Sequence, residues 1–159
     1  MRVAVISDTH GNIKAATRAL LMAGKTDMVV HAGDYFSDAA KLQRQSDVPV
    51  IGVKGNCDRL SFGPLEEILD VAGVKIYLTH GHSYGVKHSM AELQKRVSKL
   101  RAQVVIYGHT HVPQVEWVDG SLYLNPGSLH SPRGSNGKTF AVLDIGNGQP
   151  SAQILELEA

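Results

Sequence analysis

The chain carries a single cysteine, Cys57, among 159 residues, so no intramolecular disulfide can form and a reducing compartment is the simpler expectation. Long hydrophobic runs are also missing. The apolar stretch after Met1 and Arg2 covers only residues 3–6, far short of a signal-peptide core, and nothing approaches the roughly 18 apolar residues of a membrane span. A cytoplasmic protein with no membrane partner is expected. Net charge is nearly absent: 16 Lys and Arg against 15 Asp and Glu leave +1, so no overall field recruits nucleic acid or anionic lipid. Aromatic residues make up only 6%, which argues against a nucleic-acid-binding module and leaves nucleic acid only as a conceivable substrate. With 43% hydrophobic and 19% charged residues, intrinsic disorder is excluded. The length suits one domain over residues 1–159, able to bury roughly 68–70% of its unfolded surface. What the chain does have is histidine, eight in all, with His10, His80, His82, His109 and His111 in D-x-H or H-x-H patterns.

Residues 3–6 (Val-Ala-Val-Ile) read as a strand buried on both faces and central in a parallel sheet. Asn12 can cap a helix bearing Ile13, Ala16, Leu20 and Ala23, with Gly24 as its stop. A strand at 28–31, a short helix near 38–45 and a strand at 48–53 complete a β-α-β-α-β series with right-handed crossovers. Residues 66–71 and 74–79 suggest a hairpin around Ala72-Gly73. Met90, Leu93, Val97 and Leu100 form the apolar stripe of a helix whose Lys95, Arg96, Lys99 and Arg101 face solvent. After a buried strand at 104–107, short strands at 115–118 with 122–124 and at 140–145 with 154–157 make the second half mainly hairpins. The pattern predicts an α/β domain of two packed sheets with helices outside.

Four apolar strands end in polar clusters: Asp8-Thr9-His10, Gly33-Asp34, Gly55-Asn56-Cys57-Asp58 and Gly108-His109-Thr110-His111, joined by His80-Gly81-His82 after the hairpin. In an open parallel sheet, sites lie at the carboxyl ends of strands, so these segments should meet in one crevice. Extended backbone would point Asp8 with His10, and His109 with His111, to the same side. Asp34 could bridge two cations, and Asn56 offers a neutral oxygen. Imidazole, carboxylate and carbonyl donors without thiolate suit Mn, Zn, Fe, Co or Ni. Two divalent ions less Asp8, Asp34 and a bridging hydroxide leave a charge of about +1, which fits an anionic phosphate ester. His31 reads as a core or supporting histidine, His88 as exposed, and His82 and His130 as ambiguous.

The ordered set D-x-H, G-D, G-N-x-D, H-G-H and G-H-T-H resembles the calcineurin-like metallophosphoesterase superfamily. With the GNCD and NPGS segments, the short chain is similar to its small prokaryotic phosphodiesterase branch, to which the retromer scaffold subunit is related. The resemblance spans residues 3–133. It implies a four-layer α-β-β-α sandwich of two packed mixed sheets. It implies that Asp8, His10, Asp34 and His111 hold one metal, and that Asp34, Asn56, His80 and His109 hold the other. Asp58 matches an acid that orients a neighbouring ligand or imidazole. Asp8, Asp34, Asn56, Asp58 and His80 are therefore the expected catalytic residues, with Asn56, His82, Ser128 and Arg133 on the substrate side. Arg133 could hold a phosphate oxygen bidentately or stand as a plain surface arginine.

Cys57 takes the place where many relatives carry a histidine thought to protonate the leaving group. A thiol is a poor substitute at neutral pH, so diesters with good leaving groups are the expected substrates, with the proton coming from water or His82. The resulting expectation is a binuclear phosphodiesterase using hydroxide on two divalent ions, Mn²⁺ ahead of Ni²⁺, Zn²⁺, Fe²⁺ or Co²⁺. A phosphomonoesterase with the same metals and a non-catalytic protein-binding scaffold are the alternatives, and a homo-oligomer is left open. Loops 60–65, 83–88 and 130–137 are expected to set specificity.

Overall fold

The computed structural model describes residues 1–134 and 137–158. Along the chain run β1 (Arg2–Ile6), α1 (Ile13–Ala23), β2 (Met28–His31), α2 (Phe36–Gln43), β3 (Val50–Gly52), β4 (Glu66–Val71) and β5 (Val74–Thr79). A 3-10 turn at His82–Tyr84 precedes α3 (Ala91–Leu100), and β6 (Val104–Ile106), β7 (Gln114–Val118), β8 (Ser121–Asn125), β9 (Thr139–Gly146) and β10 (Gln149–Glu156) follow. They form two five-stranded sheets, ordered β10-β9-β1-β2-β3 and β4-β5-β6-β8-β7. The α/β sandwich expected from the sequence is therefore present.

Alternation along wholly apolar strands creates the layers. Val3 and Val5 of β1 face the other sheet, where they join Ile76, Leu78, Ile106 and Leu124 in the central core. Ala4 and Ile6 face outward onto α1 and α2, packing with Ala16, Ala19 and Leu42. On the far side Tyr77, Val105 and Tyr107 receive Leu93 and Val97 of α3. The order is helices, sheet, sheet, helix, and each fully buried large aliphatic side chain contributes about 1.5–3 kcal/mol. Asn12 caps α1 by accepting from Ala15 N–H at 3.1 Å, and Gly24 ends it at φ 76°.

The three hairpins expected in the second half are present, as β4–β5, β7–β8 and β9–β10, and parallel pairing joins them. β5, β6 and β8 pair in parallel, because α3 and β7 serve as crossovers that return the chain in the same direction. Both sheets thus have a parallel centre, and β1, β2, β5 and β6 all end at one edge of the sandwich. There Asp8 N–H donates to Gly33 O at 2.9 Å, Thr9 N–H to Asp34 O at 3.1 Å, and Gly108 N–H to His80 O at 3.1 Å. Loops within each sheet are thereby tied together. Among the described residues no helix is long and apolar enough to cross a membrane. In the expected specificity loop 130–137, residues 135 and 136 lie outside the described residues.

Candidate metal centre

Convergence of Asp8 with His10, and of His109 with His111, does not come from extended backbone as expected. Asp8 (φ 51°), His10 (φ 43°), Asp34 (φ 46°), His109 (φ 71°) and His111 (φ 59°) all occupy the left-handed region. Non-glycine residues rarely sit there, and such positions cost about 1–3 kcal/mol each. The strand-end turns are tight enough that this geometry is what aims the side chains inward, and burial and hydrogen bonds hold it.

Each aspartate has one oxygen tied and one free. Asp8 Oδ2 accepts from Ser7 Oγ–H at 2.6 Å and from His109 N–H at 3.1 Å, while fully buried Asp8 Oδ1 has no hydrogen bond among the described residues. It faces His111 Nε2 at 3.1 Å, His80 Nε2 at 3.8 Å and His10 Nε2 at 4.0 Å. Asp34 Oδ1 accepts from Cys57 N–H at 3.0 Å, and Asp34 Oδ2 faces His80 Nε2 at 3.4 Å and His10 Nε2 at 3.6 Å. Two of these imidazoles are tautomer-locked by backbone carbonyls. His80 Nδ1–H donates to Ala32 O at 2.8 Å and His111 Nδ1–H to Ser131 O at 2.6 Å, which leaves both Nε2 lone pairs bare. Asn56 Oδ1 adds a further acceptor 3.1 Å from His80 Nε2.

With these imidazoles neutral, lone pairs meet lone pairs, an arrangement that a cation, whether a metal ion or a proton, satisfies. The residues present fit the divalent metals expected from the sequence. Three groups have all their donor atoms within 4.8 Å of one another: Asp8, His10 and His111; Asp8, Asp34 and His80; and His10, Asp34 and Cys57. Glycines leave the room. A Cβ on Gly33 would lie 2.6 Å from His80 Nδ1, one on Gly108 2.7 Å from Asp8 Oδ2, and one on Gly55 would overlap Asp34 Oδ1.

Burial disfavours charge on Asp8, but the close approach of His111, the nearby His80 and the Ser7 hydroxyl outweigh it and hold its carboxyl below the usual range. The same competition, won by His80 and the Cys57 amide, lowers Asp34. For His80, burial is overcome by Asp34 and Asp8, so its pKa rises. His109 belongs to none of the three donor groups. It stands edge-on to His80 with ring centroids 5.0 Å apart, and burial with the neighbouring His80 brings its pKa down to about 4. Burial and the charge of Asp34 push the Cys57 thiol up to about 11.

The remaining expected site residues are placed as follows. His82 lies beside the cluster, 5.4 Å between centroids from His80, with Nδ1 buried and without a hydrogen-bond partner among the described residues. Asp58 hydrogen-bonds no imidazole among the described residues: its carboxylate accepts from Phe36 N–H at 2.9 Å and Gly55 N–H at 2.8 Å, so it orients the loops carrying Asp34 and Asn56 through their backbones. Ser128, expected on the substrate side, is fully buried. Its hydroxyl donates to Asp8 O at 2.8 Å and accepts from His130 N–H at 3.1 Å and Ser131 N–H at 2.9 Å, which makes it a positioning residue. Arg133 N–H donates to His111 O at 3.0 Å, and its exposed guanidinium makes no hydrogen bond or ion pair among the described residues.

Beyond His31, which the sequence already reads as a core or supporting histidine, the particular bonds that support the site carry no sequence signal. Asn125 Nδ2 donates to Gly108 O at 3.2 Å and Thr110 Oγ1 at 3.0 Å, holding the loop of His109. His31 is fully buried, accepting from Gly33 N–H through Nδ1 at 3.1 Å and lying 2.8 Å from Thr9 Oγ1 through Nε2. Thr9 Oγ1–H in turn donates to buried Asp38 at 2.6 Å. Only fold context reveals these, because Ser7, Asp38 and Asn125 are ordinary residues outside any metal-like spacing.

Residues 1–148 match the family model for the calcineurin-like phosphoesterase superfamily domain. The chain is 33% identical over 157 residues to the probable metallophosphoesterase YsnB of Bacillus subtilis, covering 98% of this chain and 91% of that one. It is 30% identical over 169 residues to the phosphodiesterase YfcE of Escherichia coli, covering 91% and 88%. A crystal structure of a single-mutant Vps29 from Entamoeba histolytica superposes with a TM-score of 0.77 at 25% identity, over 99% of this chain and all of that one.

Proposed function

This chain belongs to the calcineurin-like phosphoesterase superfamily, and from that premise we propose that it is a binuclear metal-dependent phosphodiesterase, one domain over residues 1–159. The phosphoesterase activity and its need for divalent metal go with the family. Two ions, Mn²⁺ first among the candidates, and diester specificity are our reading. The observation that carries it is the meeting of free carboxylate oxygens on Asp8 and Asp34 with bare imidazole nitrogens at 3.1–4.0 Å.

In this reading Asp8, His10, Asp34 and His111 hold one ion and Asp34, Asn56, His80 and His109 the other. When bound, such ions supply Lewis acidity and a nucleophilic water that ionises near neutral pH. The chain contributes the rest. Asp34 is steered by the Cys57 amide so that Oδ2 points to the gap between His10 and His80. Ser7 and the His109 amide steer Asp8 likewise. Preorganised dipoles of this kind cost no reorganisation when charge develops on the phosphoryl oxygens. No histidine stands at the Cys57 position, so an ester with a good leaving group needs least help, and His82, beside His80, is the side chain placed to assist.

Chelator-stripped protein is expected to lose hydrolysis of a chromogenic phosphodiester and regain it on adding Mn²⁺, whereas Asp34→Asn stays inactive. Restored turnover of the monoester alone would make the protein a phosphomonoesterase. A protein-binding scaffold, favoured by the likeness to Vps29, predicts folded protein with no metal-dependent turnover of either ester.

A further inference from the structure

Beside the donor cluster runs a cleft of ≈ 910 Å³, in the size range of sites for compact organic ligands. Its walls come from the same two loops that carry Asp34 and Asn56. Tyr35 and Phe36 follow Asp34 directly, and Leu60 and Phe62 lie just past Asn56, Cys57 and Asp58. Asp58 fixes the spacing of these walls by accepting from both Phe36 N–H and Gly55 N–H. Gly63 lies flat on the Phe36 ring, where an added Cβ would come within 2.7 Å. Tyr35 joins the cleft to the centre, its ring edge-on to His10 at 5.2 Å.

Leu60 and Phe62 are essentially fully exposed, at 96% and 106%. Exposing two large apolar side chains directly beside a site for a charged group forgoes their burial unless a ligand restores it. The cleft is open to solvent, and Tyr35, Phe36 and Phe62 among its lining residues carry rings, which suits a flat ring better than a chain of methylenes. Exposed Arg59 on the rim complements an anionic ester.

We propose that this cleft is the subsite for a planar aromatic ester group of the substrate, an aryl ring or a nucleobase, held on Tyr35, Leu60 and Phe62 while the phosphoryl group lies at the donor cluster. The proposal rests on the phosphodiesterase reading and adds the substrate class.

Calorimetric titration of the Mn²⁺-loaded protein with phenylphosphonate and methylphosphonate isolates the ring, because both carry the same anionic head. Phenylphosphonate is expected to bind about tenfold tighter, the order of one ring stacked on aromatic side chains. In a Leu60→Ala, Phe62→Ala double variant that ratio should fall below about twofold, with methylphosphonate affinity retained, and Leu60→Ala, Phe62→Trp should restore it. Both positions are on the surface, so the fold is not at risk. Comparing kcat/KM for phenyl and thymidine p-nitrophenyl phosphates then separates an aryl from a nucleoside preference. Equal affinities in the parent protein, or a ratio kept by the double variant, would overturn the subsite while leaving phosphodiesterase activity intact. Failure of both phosphonates to bind would overturn the phosphoesterase reading along with it.

Discussion

Replacing Ser128 by alanine removes a hydroxyl that holds two donor-bearing loops at once. Directly, it donates to Asp8 O at 2.8 Å and so holds the backbone of Asp8. Indirectly, its bond to Ser131 N–H at 2.9 Å fixes the residue whose carbonyl orients His111 at 2.6 Å. Asp8 and His111 are the pair that face each other at 3.1 Å. Without the hydroxyl, Asp8 O is left buried and unpaired, costing about 1–3 kcal/mol, whereas His130 and Ser131 are exposed and their N–H groups can turn to water for about 0.5–1 kcal/mol each. The sum, about 2–5 kcal/mol, lowers Tm by roughly 4–20 °C in a chain of this size. Metal affinity should fall about 10–100-fold, as when an orienting partner of a ligand is removed. Thermal unfolding in chelator reads the first effect and Mn²⁺ titration of refolded protein the second. A raised KM with unchanged metal affinity would refute this account and return Ser128 to the substrate side.

Gly55→Ala places a Cβ on top of Asp34 Oδ1 and 2.8 Å from the Asp34 backbone nitrogen, so the carboxylate must swing away; Mn²⁺ affinity should drop at least about tenfold, while Gly146→Ala, with open space around it, leaves it unchanged. Equal Mn²⁺ titrations for the two variants would contradict the steric argument. Buried His31 is held neutral, its pKa brought down to about 4 by desolvation, whereas the unfolded chain binds the proton near 6.5. Its contribution is therefore complete above pH 6.5 and is lost as pH falls toward 4, amounting to about 3 kcal/mol. Urea unfolding of metal-free protein should show a shallower acid loss in His31→Gln than in the parent, and parallel curves would rule the histidine out as the source.

Much of the centre was legible because chemistry and topology coincide in the chain. A β-branched apolar run followed by Asp or His after a turn residue marks a buried strand ending at a site, and β1, β2, β5 and β6 each show it. That reading located Asp8, His10, Asp34, Asn56, His80, His109 and His111 at one edge of the sandwich. It misjudged how they converge. Positive φ at Asp8, His10, Asp34, His109 and His111 has no residue-level signature, since it is imposed by turns tied across two sheets. Spacing likewise could not separate a residue that touches substrate from one that holds a loop, as buried Ser128 illustrates.

Local pattern by itself determined the strands and helices, the alternation that makes four layers, and the donor types that select a divalent metal, because burial period and ligand chemistry reside in the side chains in sequence order. Tertiary structure alone decided which lone pairs face one another, which hydroxyls and amides lock them there, and that the walls of an open aromatic cleft grow from the Asp34 and Asn56 loops. Those depend on distances between residues 20 to 120 positions apart, such as Asp34 with Cys57 and Asp8 with Ser128, and only the packing of the two sheets sets them.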